Sequence, residues 1–210
     1  MIDKIISFDG LNRSGKGTQI KLLRDYLDSR NILVEVLRGD GSRPGIDSRD
    51  FYDPHSNWWI NWQAKCNKTV NDWNIAYHIL SEENDRRYKE FSIENQKRTL
   101  LMDRSYISRY FMLKQQGIKI SLEEVVDGIY IIPEHYFVLE VSKETLLERA
   151  SEDNLDKTEF RRDVIRKWYD LWTEVVYDAQ EFLKRRLIII NGLESPHNIH
   201  EYVINKLGEK

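Results

Sequence analysis

The sequence predicts an α/β fold: one five-stranded parallel sheet with helices on both faces. Three observations carry that prediction. Five short apolar runs are near-continuous rather than alternating, as strands covered on both sides are. The stretches between them repeat apolar residues at helical spacing. Strand and helix alternate along the chain, the order that builds a parallel sheet through crossovers. The 210 residues are 40% hydrophobic and 32% charged, with 10 Gly and 4 Pro, which suits one folded domain over 1–210 and excludes a disordered or low-complexity chain.

Taken in order, Ile5, Ile6 and Phe8 make a first strand that ends at Asp9-Gly10. From Thr18 the spacing of Ile20, Leu22, Leu23, Tyr26 and Leu27 is helical. Ile32 to Leu37 is a second strand, stopped by the turn formers from Arg38 to Gly45. Trp58 to Phe91 holds aromatic and aliphatic residues among polar ones without Gly or Pro, so one or two helices are expected within about 46–95. Thr99 to Asp103 is a third strand, followed by a helix from Ser105 to about Gln116 that Gly117 ends. Tyr136 to Val141 is a fourth strand, and Lys143 to about Glu152 a helix.

A polar stretch over about 151–158 reads as a loop. After it, Phe160, Val164, Trp168, Leu171, Trp172, Val175, Val176 and Ala179 mark a long helix. Trp168 and Trp172, four apart, belong to its core-facing side. Lys184-Arg185-Arg186 completes that helix, where cations suit the dipole. Leu187 to Ile190 is the fifth strand and Pro196 to Leu207 the last helix.

With 32 Lys and Arg against 35 Asp and Glu, the net charge is -3, so no global positive field holds a nucleic acid or an acidic membrane. Any anion is bound locally. No apolar run approaches the ~20 residues of a membrane helix. Cys66 is the only cysteine and the first residues lack the pattern of a signal peptide, so the expected compartment is the cytoplasm. His197 and His200 have no further His or Cys at metal-ligand spacing and read as surface residues.

Ligands in such a sheet sit beyond the carboxyl ends of the strands. Asp9-Gly10, Leu37-Arg38 and Asp103-Arg104 all lie there. Gly10-Leu11-Asn12-Arg13-Ser14-Gly15-Lys16-Gly17-Thr18 matches the Gly-x4-Gly-Lys phosphate loop between a strand and a helix, which makes the fold a P-loop NTPase fold. Gly10 and Gly15 let successive amides turn inward around phosphate oxygens. Lys16 adds a mobile positive charge, and the following helix aims its free amides at the same anion. Gly17 stands where the signature has Ser or Thr, and Thr18 follows. The bland alternative is a glycine turn that binds nothing. At Asp103-Arg104, the carboxylate can order the water shell of a Mg2+ and the arginine can bridge two phosphates. The alternative there is a helix cap and a surface ion pair.

These residues resemble the thymidylate kinase family of nucleoside monophosphate kinases. Phe8 to Gln19 looks like the family's loop, and Asp103-Arg104-Ser105-Tyr106-Ile107-Ser108 is similar to its Asp-Arg-Tyr-x-x-Ser. Arg38 to Pro44 stands where the family has Arg-Glu-Pro-Gly-Gly-Thr, and Asp85-Arg86 resembles a pair that faces the acceptor base. Pro133-Glu134 precedes the fourth strand as Pro-Asp does there. The resemblance implies transfer of the γ-phosphoryl of ATP, with Mg2+, to dTMP or a related pyrimidine deoxynucleotide, in a homodimer. It implies that Gly10, Asn12, Arg13, Ser14, Gly15, Lys16, Gly17 and Thr18 bind ATP. Asp9, Arg38, Arg43, Arg86, Arg104 and Ser108 would serve the acceptor, and Thr18 and Asp103 the metal, through water.

Lys16, Arg13, Asp103 and Arg104 are the catalytic candidates the resemblance implies. Arg13 matches the subset of the family with a catalytic arginine in the loop, and the lid at 151–158 contains no arginine, in agreement. The acceptor-binding helices fall at about 46–95.

The departures from the family are Asn12 for Asp, Glu82 for an aromatic residue and Ser105 for Tyr. Stacking on the base would then come from Trp58, Trp59, Trp62, Trp73 or Tyr77, each of which also suits a core. Asp103-Arg104-Ser105 with Arg109-Tyr110 is closer to deoxynucleoside kinases, whose run reads Glu-Arg-Ser. That rival would phosphorylate a 5'-hydroxyl and need a base, for which Asp40 is the candidate. A second rival, of another class, is a nucleotide-binding regulatory module without turnover.

Overall fold

The computed structural model describes residues 4–37, 98–115, 117–127, 132–151 and 155–208. Five strands, β1 (Ile5–Asp9), β2 (Leu33–Leu37), β3 (Arg98–Asp103), β4 (His135–Glu140) and β5 (Leu187–Asn191), form one sheet in the order β2-β3-β1-β4-β5. Every neighbouring pair is parallel. Register places Ser7 opposite Met102 on one side and Tyr136 on the other, so β1 is the central strand. It has no edge to solvent, which is why all five of its residues are buried.

Two cores flank the sheet, and alternate residues of β4 and β5 feed both. Ile6, Phe8, Leu101, Phe137, Leu139 and Ile190 meet α1 (Lys16–Asp28) and a C-terminal helix, Pro196–Leu207, on one face. Phe8 stacks on Phe137 with ring centroids 5.3 Å apart. Tyr136, Val138 and Leu187 meet α2 (Tyr106–Gln115), α3 (Leu122–Val126), α4 (Lys143–Ser151) and α5 (Leu155–Leu183) on the other. The C-terminal helix is α6. Helices on both faces are therefore observed as the strand pattern requires.

Trp172 is buried in the second core, edge-on to Phe111 at 5.3 Å, and Trp168 packs against it half-buried. The four-residue spacing had this packing as its consequence. Gly117 ends α2 at φ 73, and its N–H is held by the Lys114 carbonyl. A 3-10 turn over Lys184–Arg186 follows α5.

Two elements depart from the expectation. The pattern gave no helix at 122–126, yet Ser121 and Glu124 form a reciprocal capping box that starts α3. The stretch expected as a polar loop over 151–158 is shorter, because Ser151 still belongs to α4 and α5 opens at Leu155. Charged and polar residues at the start of a helix look like loop residues when composition alone is read. The helices expected at 46–95 lie outside the described residues. So do Asp40, Cys66, Glu82, Trp58, Trp59, Trp62, Trp73 and Tyr77. Among the described residues no helix is long and apolar enough to cross a membrane.

Candidate functional site

The carboxyl end of β1 runs straight into the glycine loop. Gly10 has φ 149, and a Cβ there would stand 2.5 Å from Ser14 Oγ and 2.9 Å from the Leu139 carbonyl. Only glycine fits that approach. Arg13, with φ 72, turns left-handed without that freedom, and Ser14 N–H closes the turn onto the Leu11 carbonyl at 3.2 Å. Gly15, φ 101, is the N-cap of α1, whose first residue is Lys16. No side chain caps that N-terminus, whose positive dipole end adjoins the loop.

Lys16 is buried along its stem and reaches back over the loop. Its Nζ donates to the Gly10 and Leu11 carbonyls at 2.8 Å each and to Ser14 Oγ at 3.4 Å. Arg104, at the end of β3 with φ 75, approaches from the other side. Its Nη1 donates to the Gly10 carbonyl at 3.3 Å and its Nη2 to Asn12 Oδ1 at 2.7 Å. Carbonyl oxygens that would repel a phosphate are thus held by cations.

Asp9 and Ser108 sit behind this surface. Asp9 is 0% exposed, and its two carboxylate oxygens accept from Ser105 N–H (2.9 Å), Ser105 Oγ (2.7 Å) and Ser108 Oγ (2.7 Å). Burial pushes its pKa up, against those hydrogen bonds and the Arg104 charge, which pull it down. Neither residue lines the cleft. They tie β1 to the start of α2 and so set where Arg104 stands. The substitution of Ser for Tyr at 105 has a local reason as well, since Ser105 is fully buried on Asp9.

A cleft of about 990 Å³ opens over the loop. Asn12, Arg13, Ser14, Gly15, Lys16, Gly17 and Thr18 line it from α1 and its loop, with Asp103 and Arg104 from β3. Among the described lining residues, Arg13, Lys16, Arg104 and Arg149 are positive and Asp103 and Glu194 negative. A chain of net charge -3 therefore concentrates positive charge over the phosphate loop and the start of α1. Asp103 is buried at the strand end and Thr18 exposed at the helix start. Among the described residues no three His, Cys, Asp or Glu side chains gather to hold a metal by themselves. A Mg2+ with one carboxylate, one hydroxyl, waters and phosphate oxygens matches this donor set; a metal needing a protein cage does not.

Of the residues expected at the site, those from Asn12 to Thr18 and Asp103-Arg104 converge on the cleft, with Gly10 shaping the loop beneath them. Arg38, Arg43 and Arg86 lie outside the described residues. Sequence reasoning missed Arg149 and Gly192. Nothing in the sequence sets Arg149 apart from other cations near a helix end, and Gly192 carries no motif around it. Only the packing of β5 on the loop reveals them.

No protein-family model matches the chain. It is 25% identical over 220 residues to a thymidylate kinase of Thermoanaerobacter sp. (strain X514), over 98% of this chain and 97% of that one. The same figures hold for a thymidylate kinase of Thermoanaerobacter pseudethanolicus (strain ATCC 33223 / 39E). A crystal structure of thymidylate kinase from Ehrlichia chaffeensis has the same fold, with a TM-score of 0.59 at 18% identity over 98% of each chain. The fold is the P-loop NTPase fold, and the resemblance to the thymidylate kinase family extends over nearly the whole chain.

Proposed function

We propose, from that full-length likeness and from the cationic phosphate loop, that the chain is a nucleoside monophosphate kinase. It transfers the γ-phosphoryl of ATP to dTMP or a related pyrimidine deoxynucleotide. The observation that carries the reading is the loop itself: Gly10 and Leu11 carbonyls covered by Lys16 Nζ, Arg104 over Gly10 and Asn12, and an uncapped helix behind them. Curated relatives at 25% identity support nucleotide kinase chemistry, and Asp103-Arg104 at the end of β3, which resembles the family's Asp-Arg, supports a phosphorylated acceptor.

Such a reaction is mostly positioning and charge. The amides of Ser14 to Thr18 and Lys16 hold the donor's terminal phosphates. Arg104, fixed by Asn12 and by the clamp of Asp9 on α2, aligns the acceptor phosphate with Arg38 or Arg43. Arg13 offsets charge on the transferring group. Asp103 and Thr18 would hold a Mg2+ through its waters, and the ion neutralises charge between donor phosphates when bound. By resemblance the protein is a homodimer, and its lone cysteine suits the cytoplasm.

The reading is tested by ADP release from Mg-ATP against the common nucleoside monophosphates and the matching nucleosides, with Lys16→Ala as control. Turnover with one pyrimidine deoxynucleoside monophosphate and none with nucleosides is expected. Turnover with nucleosides alone would replace the reading with a deoxynucleoside kinase. Tight ATP binding without transfer to any acceptor would make the chain a binding module.

A further inference from the structure

The last turn of α4 carries an arginine that does not serve its own helix. A cation there ordinarily bonds the free carbonyls of the same helix end. Arg149 instead reaches sideways: Nη1 donates to the Arg13 carbonyl at 3.2 Å and Nη2 to the Gly192 carbonyl at 3.0 Å. One guanidinium thereby joins the phosphate loop to the turn after β5. The turn is itself built for closeness. A Cβ on Gly192 would lie 2.4 Å from Val141 Cγ2 and 3.3 Å from the Ser14 carbonyl, and Gly192 N–H donates to the Glu140 carbonyl at 2.7 Å.

The carbonyl that Arg149 holds belongs to the loop residue with left-handed backbone. Such a turn costs a non-glycine residue free energy and persists only where its surroundings hold it. Its carbonyl is also one of the loop oxygens that would repel an anion if it rotated inward. Gly10 and Leu11 oxygens are covered by Lys16; the Arg13 oxygen is covered by Arg149.

We infer that Arg149 is a positioning residue: it keeps the Arg13 carbonyl out of the anion cradle, and so sets the loop's affinity for the donor's polyphosphate. The inference rests on the kinase reading only for its effect on turnover. The two-pronged geometry, on two carbonyls of different segments, is what an arginine fork supplies and a lysine ammonium does not.

The test compares wild type, R149K and R149Q. Inorganic tripolyphosphate and Mg-ATP are titrated calorimetrically, and amide hydrogen exchange is followed over 12–15. Both variants are expected to bind tripolyphosphate about 10-fold more weakly, the scale of losing charge-assisted hydrogen bonds that order a site. Exchange of the Ser14 amide should quicken, and the kcat for phosphoryl transfer should fall with little change in acceptor KM. Full tripolyphosphate affinity in R149K would overturn the inference, because charge alone would then suffice. Weaker Mg-ATP binding with unchanged tripolyphosphate binding would also overturn it, placing Arg149 on the donor's nucleoside. Should R149Q fail to fold, R149K alone decides. A wild type that binds tripolyphosphate but transfers nothing would sink the kinase reading while leaving the clamp measurable.

Discussion

Lys16 and Asp9 are two buried charges with opposite fates. The ammonium of Lys16 is satisfied by neutral loop oxygens, which it can exchange for phosphate oxygens. Lys16→Ala is therefore expected to lower transfer about 100-fold or more while leaving the melting temperature close to wild type. A variant with wild-type turnover in the ADP assay would contradict the role. Asp9 is saturated by Ser105 and Ser108, yet burial raises its pKa above the ordinary 3.8. A carboxyl with a raised native pKa favours the fold most below 3.8, where it is protonated, and that contribution is lost as pH rises through the native value. Asp9→Asn keeps an acceptor and removes the titration. Melting temperatures of the two proteins from acid to neutral pH should diverge in favour of the variant as pH rises; divergence in favour of wild type would refute the account. The loop residues were legible in the sequence because Gly-x4-Gly-Lys fixes both conformation and chemistry. The burial of Asp9 was not, since its partners lie 96 and 99 residues away.

Side chains join the elements around the site, those of α2 and α5 among them. Lys114 of α2 donates to Glu174 Oε1 at 2.6 Å and Asp178 Oδ2 at 3.2 Å on α5, and Tyr110 OH donates to Asp178 at 2.8 Å. Those partners outweigh desolvation and hold the Lys114 pKa well above its ordinary value, so it stays charged throughout the neutral range. Lys114→Met leaves two carboxylates facing one another and is expected to cost about 1 kcal/mol, read from denaturant midpoints. An unchanged midpoint would mean the network contributes nothing. In the turn after β5, where Arg149 holds the Gly192 carbonyl, Gly192→Ala forces a methyl against Val141 and is expected to cost about 1–3 kcal/mol, measured the same way. Helix α3 shows why short elements escape periodicity. Its five residues hold barely one turn, and the Ser121–Glu124 capping box was the readable signal. The early start of α5 escaped because Leu155 to Thr158 has a loop-like composition.

Across the whole molecule, alternation of apolar runs and helices sufficed for the parallel sheet, because a strand buried on both faces must be apolar throughout and a crossover must be long. Strand order was not legible: the centrality of β1 emerges from pairing with β3 and β4, residues about 95 and 130 positions away. That order brings the ends of β1 and β3 together, with β5 on the far side of β4, and so gathers Arg13, Lys16, Arg104 and Arg149 around one cleft. The central claim is that this cleft moves a phosphoryl group between nucleotides. Phosphorus NMR of the protein with Mg-ATP and dTMP tests it most directly. The account predicts a nucleoside diphosphate formed one for one with ADP. ADP accompanied by inorganic phosphate and no new diphosphate, with dTMP and every other monophosphate supplied, would contradict it.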